Sequence, residues 1–120
     1  MKYLLIMHMD PALWESLAAE RQQEVFDGHD TFQEVIRESG EMVVTKALDF
    51  PVNTVTVKVR NGAVETAQGP YVPHESFLCG YYVVDVPSKE RAVELAALIP
   101  DAKLTAVEVR EVIHEAGAVV

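Results

Sequence analysis

The chain has 120 residues, 49% hydrophobic and 24% charged, with 10 Lys and Arg against 19 Asp and Glu for a formal charge of −9. That length suits one domain around one core, and that charge opposes binding to a phosphate backbone or an anionic bilayer. The single cysteine, Cys79, excludes an internal disulfide framework and fits a reducing, cytoplasmic setting.

Residues 2–9, KYLLIMHM, form a short apolar run with no small-residue cleavage site after it, so it reads as a buried first strand and not as a signal peptide. No run approaches the roughly 20 apolar residues that span a bilayer. Asp10-Pro11 supplies a helix N-cap and a proline for the first turn. From about Leu13 to Ser39 the apolar positions recur at helical spacing. Val25, Phe26, Phe32, Val35 and Ile36 fall on one stripe, with Glu, Arg and Gln opposite. Gly28 weakens this helix, which is expected to break or start late, and Gly40 terminates it.

Residues 42–48 read as a second strand. Val55, Val57 and Val59 then alternate with Thr56, Lys58 and Arg60, the pattern of a strand with one buried face. Asn61-Gly62 is a preferred two-residue hairpin turn, and AVETA returns antiparallel. Phe77–Val86 is apolar on both faces, as a central strand would be. Pro87-Ser88 opens a helix with Ala92, Val93, Leu95, Ala96 and Ile99 inward, ending at Pro100; residues 104–113 form the last strand. The order β-α-β-β-β-β-α-β predicts an α+β fold, a ferredoxin-like split βαβ arrangement with an extra hairpin strand. Two helices cover one sheet face. The other needs a second copy, giving a sheet-to-sheet homodimer of the dimeric α/β barrel type.

Several side chains are candidates for chemistry. His29 lies on the apolar stripe, where an adjacent carboxylate would suit it to acid–base work; the plainer reading is a core histidine bonded to a carbonyl. Asp10 is a helix cap or, if the helix folds back over the strand, the acid that orients His29. His8 near the end of the first strand reads mainly as a solvated residue that could share the same mouth. The loop Gln68-Gly-Pro-Tyr-Val-Pro-His-Glu-Ser76 is built on a Gly69-Pro70 turn. Tyr71, His74, Glu75, Ser76 and Gln68 are its polar groups, either a ligand-binding wall or a solvated loop. Cys79 in an apolar strand reads as a small buried hydrophobe, and His114 as exposed. No nucleophile elbow, phosphate-cradling loop or HExxH is present, and the histidines lack metal-ligand spacing, so neither cofactor nor metal is expected.

MKYLLIMHMDPALWESL, ALDFPVNTVTVKVRNG, QGPYVPHESFLCGYYVVDV and LTAVEVREV run in the order of the DGPF-domain proteins of the YCII-related superfamily, which the chain resembles over nearly its whole length. The resemblance implies a dimeric ferredoxin-like fold. It also implies a His-Asp pair in a cleft, with His29 and Asp10 resembling that pair in placement, and a superfamily that includes a dehydrochlorinase acting on a chlorinated aromatic. The signature Asp-Gly-Pro-Phe turn is here Gln68-Gly-Pro-Tyr71, and its charged tail has become Val-Pro-His74-Glu75-Ser76. An amide at Gln68 can bond but cannot titrate usefully.

Two functions fit these residues. One is a small cytoplasmic enzyme in which His29, oriented by Asp10, drives an isomerisation or elimination while Tyr71, His74 or Ser76 holds the substrate. The other is a non-catalytic homodimer that binds a metabolite or regulates a partner.

Overall fold

The computed structural model describes residues 1–117. The first apolar run forms strand β1 (Lys2–Met9), which lies inside a four-stranded antiparallel sheet. Its neighbours are β5 (Phe77–Asp85) and β6 (Ala106–Glu111), and β2 (Met42–Ala47) lies beyond β5. The order β2-β5-β1-β6, with helical crossovers from β1 to β2 and from β5 to β6, is the ferredoxin-like α+β arrangement. β1 and β5 are the inner strands, which accounts for their apolar residues on both faces.

Asp10 caps the short helix α1 (Pro11–Ser16) by accepting from the Ala12 N–H at 2.9 Å. The chain becomes extended at Leu17 and restarts as α2 (Ala19–Glu38), so the break falls at Leu17–Ala18 and not at Gly28. Gly28 serves packing instead: a Cβ built there would lie 2.6 Å from the Pro100 ring. Helix α2 ends in a Schellman motif, with Gly40 at φ 77° and the Glu41 N–H bonded to the Ile36 carbonyl at 2.9 Å. Of the expected stripe only Phe32 and Ile36 are buried, while Phe26 and Val35 are exposed. The N-terminal half of α2 meets α1 instead of the sheet, with Phe26 edge-to-face on Trp14 at 5.5 Å between ring centroids.

The second crossover is helix α3 (Lys89–Leu98), capped by the Ser88 hydroxyl, which accepts from the Arg91 N–H at 3.1 Å. Ala92, Leu95, Ala96 and Ile99 face inward as expected, but Val93 is exposed. Arg91 clamps Glu41 through two bonds of 2.9 Å, tying α3 to the start of β2 and holding the Glu41 carboxyl below its ordinary range. Helix α3 ends just before Pro100 as expected, but a further turn, α4 (Asp101–Leu104), follows at once and delays β6 to Ala106. Between the helices and one sheet face, Leu5, Ile36, Val84, Leu95 and Ile99 are wholly removed from solvent. Each such side chain is worth about 1.5–3 kcal/mol. Among the described residues no helix is long and apolar enough to cross a membrane.

The remaining strands, β3 (Val55–Arg60) and β4 (Ala63–Gln68), form a separate two-stranded sheet. Asn61 at φ 51° and Gly62 at φ 77° close it, as a two-residue turn of the primed type requires. The expectation of a buried valine face is corrected: Val55, Val57, Val59 and Val64 are all exposed, Val57 by 60%. The reason is that the hairpin pairs only with itself and so projects from the body. The radius of gyration is 16.3 Å, against about 14 Å for a compact chain of this length. Its base is fastened where the Gly69 N–H bonds the Thr54 carbonyl and the Gln68 amide bonds the Val52 carbonyl, both at 2.7 Å.

Strand register places Leu4, Ile6, Val44, Tyr81 and Val83 on the sheet face that carries no helix. On the helix side, the Gly28–Pro100 contact sets how closely α2 approaches the segment leading into α4. Replacing Gly28 by Ala gains about 1 kcal/mol of helix propensity but forces apart two rigid backbones, a cost of about 1–3 kcal/mol. The substitution is expected to lower the urea midpoint followed by circular dichroism, although the same exchange stabilises an isolated helix.

Candidate functional site

The crossovers bring two histidine–carboxylate pairs to opposite faces of the sheet. On the helix side, His29 of α2 bonds Asp101 of α4 through Nε2 at 2.7 Å and the Tyr82 hydroxyl of β5 through Nδ1 at 2.8 Å. Gln33, one turn further along α2, donates to the same hydroxyl at 3.2 Å. Asp101 is 3% exposed, the one buried carboxylate among the described residues. A carboxylate only accepts, so Nε2 carries the proton facing Asp101. Burial raises the Tyr82 phenol above its ordinary range, so its hydroxyl stays protonated beside Nδ1. Both ring nitrogens of His29 are therefore engaged.

Asp101 has a second tie. The β1–β5 register slips between Met7 and His8, passing from Met7 opposite Gly80 to His8 opposite Leu78. Cys79 is the residue left over in this bulge. Its Sγ lies 3.6 Å from Asp101 Oδ2 and 3.5 Å from the Met7 carbonyl. Burial, and next the charge of Asp101, push the thiol up to about 12. It is a donor and a packing group, as its place in an apolar strand suggests, and not a nucleophile.

On the helix-free face, where β1 leaves the sheet and β5 and β6 enter it, lies a cleft of about 780 Å³. Its polar side chains are His8, Asp10, His74, Ser76, Thr105 and Glu108, and Leu13, Val72 and Leu78 belong to its apolar wall. His8 bonds Glu108 of the neighbouring strand through Nε2, and its main-chain carbonyl accepts from the Thr105 hydroxyl. The Thr105 N–H in turn bonds the Asp101 carbonyl at 2.8 Å, which joins the end of β1 to the buried pair behind it. With Nε2 engaged by Glu108, the Nδ1 of His8 has no partner among the described residues. His74 has the opposite polarity: its Nδ1 accepts from the Ser76 N–H at 3.0 Å, so a neutral ring carries its proton on Nε2. The cleft thus holds one imidazole with its Nδ1 unengaged and one whose Nδ1 is taken by the main chain, which leaves its Nε2 unengaged.

These placements divide the residues singled out by sequence. Asp10, His74 and Ser76 line the cleft; His29 does not. Of the two readings of Asp10, the helix cap is the one its carboxylate fills, and the acid that His29 bonds is Asp101. Gln68 braces the hairpin base, Tyr71 is exposed with Lys58 Nζ 5.3 Å from its ring centroid, and Glu75 is exposed outside the cleft. His8, read as a solvated strand end, is paired, and Glu108, Asp101 and Tyr82 were not singled out at all. The alternation of Val107, Glu108 and Val109 marks Glu108 as off the core, but only the β1–β6 register, with Ile6 opposite Glu108, brings it to His8. Among the described residues no three His, Cys, Asp or Glu side chains gather as metal ligands.

A family model for the YCII-related domain matches residues 1–116. The chain belongs to the YCII-related family. No curated protein matches it. In this YCII-related chain a histidine–aspartate pair lies between helix and sheet with its carboxylate buried and its imidazole partly exposed, and a histidine–glutamate pair lines the cleft.

The raised Cys79 thiol gives a measurable consequence. Thiol-disulfide reagents attack the thiolate, so at mildly alkaline pH the native protein is expected to react slowly with a chromogenic disulfide and the urea-unfolded protein rapidly. The linkage sign follows: the unfolded thiol, near 9.0, ionises before the folded one, near 12. This contribution to stability is therefore present below about pH 9 and lost as pH rises toward 12. A Cys79→Ala variant should show a flatter decline of its urea midpoint over that interval.

Proposed function

We propose that this YCII-related protein binds a small organic molecule in the helix-free cleft and moves a proton on it with His8. The observation that carries the reading is the His8–Glu108 bond, which leaves His8 Nδ1 unpartnered in a cleft that also holds His74 as a donor. His8 Nδ1 takes a proton from a carbon next to a carbonyl or a leaving group, and Glu108 steadies the imidazolium that results. The Nε2–H of His74 or the Ser76 hydroxyl bonds the substrate oxygen on which charge develops. Return of the proton to a different carbon gives isomerisation, and loss of a leaving group such as halide gives elimination. Neither outcome calls for an organic cofactor.

A base at His29 is supported by the family resemblance, but it has no free nitrogen and lies outside the cleft. In our reading it and Asp101 hold the sheet and helices in place behind His8. Within the family, the Gly69-Pro70-Tyr71 turn sets the chain beside the DGPF-type proteins. The lone cysteine favours the cytoplasm.

Nuclear magnetic resonance with a small-molecule fragment collection tests the assignment. Binders are expected to shift the ring signals of His8 and His74 and to raise the melting temperature. For a binder that exchanges a carbon-bound proton with deuterium, His8→Gln should cost about 10²–10⁴-fold in rate with the melting temperature retained. Shifts confined to His29 would make the buried pair the base. Binding with no exchange in any case would leave a non-catalytic metabolite-binding protein.

We further propose that a second copy covers the apolar face carrying Leu4, Ile6, Tyr81 and Val83, which would also wall the cleft. Light scattering should then give twice the chain mass of 13.3 kDa, and Tyr81→Asp should give the single mass. A wild-type monomer at micromolar concentration would exclude this arrangement.

A further inference from the structure

The charge of the cleft selects its ligand. Among the described residues its lining includes two carboxylates, Asp10 and Glu108, two imidazoles and no lysine or arginine. This is not a shortage of cations in the chain: the groove between α2 and α4 is lined by Arg21 and Lys103 beside Glu24. Asp10 carries a formal charge that its helix cap does not cancel, and Glu108 is neutralised only if His8 is protonated. The body around them is also acidic, at −9 overall. An anion entering here meets like charge and finds no guanidinium or ammonium to replace its water. With the Thr105 hydroxyl spent on the His8 carbonyl, the polar groups left, the His74 Nε2–H and the Ser76 hydroxyl, match one neutral acceptor oxygen at the end of an apolar body lying along Leu13, Val72 and Leu78.

We infer that the cleft takes an uncharged, largely apolar carbonyl compound and rejects carboxylates, phosphates and sulfonates. This rests on the cleft being the binding site, and the test separates the two claims. N-phenyl-1-naphthylamine, a neutral fluorophore, is compared with its 8-sulfonate, the same skeleton bearing an anion. Both are titrated into the full chain at about pH 8 and low salt.

The neutral probe is expected to bind saturably and the sulfonate at least about tenfold more weakly. The gap should narrow at about 0.5 M salt, where the Debye length shrinks to a few ångströms, and in Glu108→Gln. Ala106→Trp, from the sheet wall, and Val72→Trp, from the loop wall, should each abolish binding of the neutral probe while leaving circular dichroism unchanged. Equal or tighter binding of the sulfonate, lost in both tryptophan variants, would overturn the charge selection and leave the cleft as the site. Neutral-probe binding that survives both variants, or no neutral-probe binding at all, would overturn the cleft reading and the inference with it.

Discussion

The buried carboxylate of Asp101 is the constraint on which the arrangement depends. Taking a carboxylate out of water costs several kcal/mol unless its oxygens are bonded. Here one oxygen accepts from His29 on α2 and the other faces the Cys79 thiol in the β1–β5 bulge. Its backbone carbonyl accepts the N–H of Thr105, whose hydroxyl holds the carbonyl of His8. One residue thereby links the first crossover helix, both inner strands and the entrance to β6. Removing its charge would leave unmatched donors on two elements at once, His29 of α2 and Cys79 of β5.

The two histidine–carboxylate pairs differ in what they leave free. His29 is bonded at both nitrogens and packed nearly parallel to the Tyr82 ring, so it orders its surroundings but offers no lone pair. His8 is bonded at one nitrogen, in a cleft, and has the other in reserve. A pair's chemistry is set less by the identity of the acid, aspartate or glutamate, than by the occupancy of the second ring nitrogen.

Much of the fold was legible in the chain because local signals and tertiary structure agree. The Asn61-Gly62 turn, the Gly40 terminator, the inner-strand character of Phe77–Asp85 and the Ser88 start of α3 all follow from residue chemistry that packing does not override. The site was less legible, since its partners are joined by register and not by spacing. His8 meets Glu108 because two strands 100 residues apart pair antiparallel, and no periodicity in either reports the offset. Asp101 was hidden for a related reason: Pro100 marks the end of α3, but it is also the N-cap of the short helix α4, which nothing in its four residues announces. The valines of β3 misled in the other direction, because alternation marks a face suited to burial without saying whether this chain supplies the cover.

Gly28 and Pro100 together carry an implication for how sequences of this kind drift. The proline ring occupies the volume where a side chain at position 28 would begin, so position 28 is not free while Pro100 is unchanged. A smaller residue at 100 releases 28 to become any ordinary helix former, and only then does a larger residue at 28 become harmless. The order of substitution is thus imposed by geometry, with the proline yielding first. In a set of descendants the two positions should be inherited as a linked pair, although 72 residues of chain separate them.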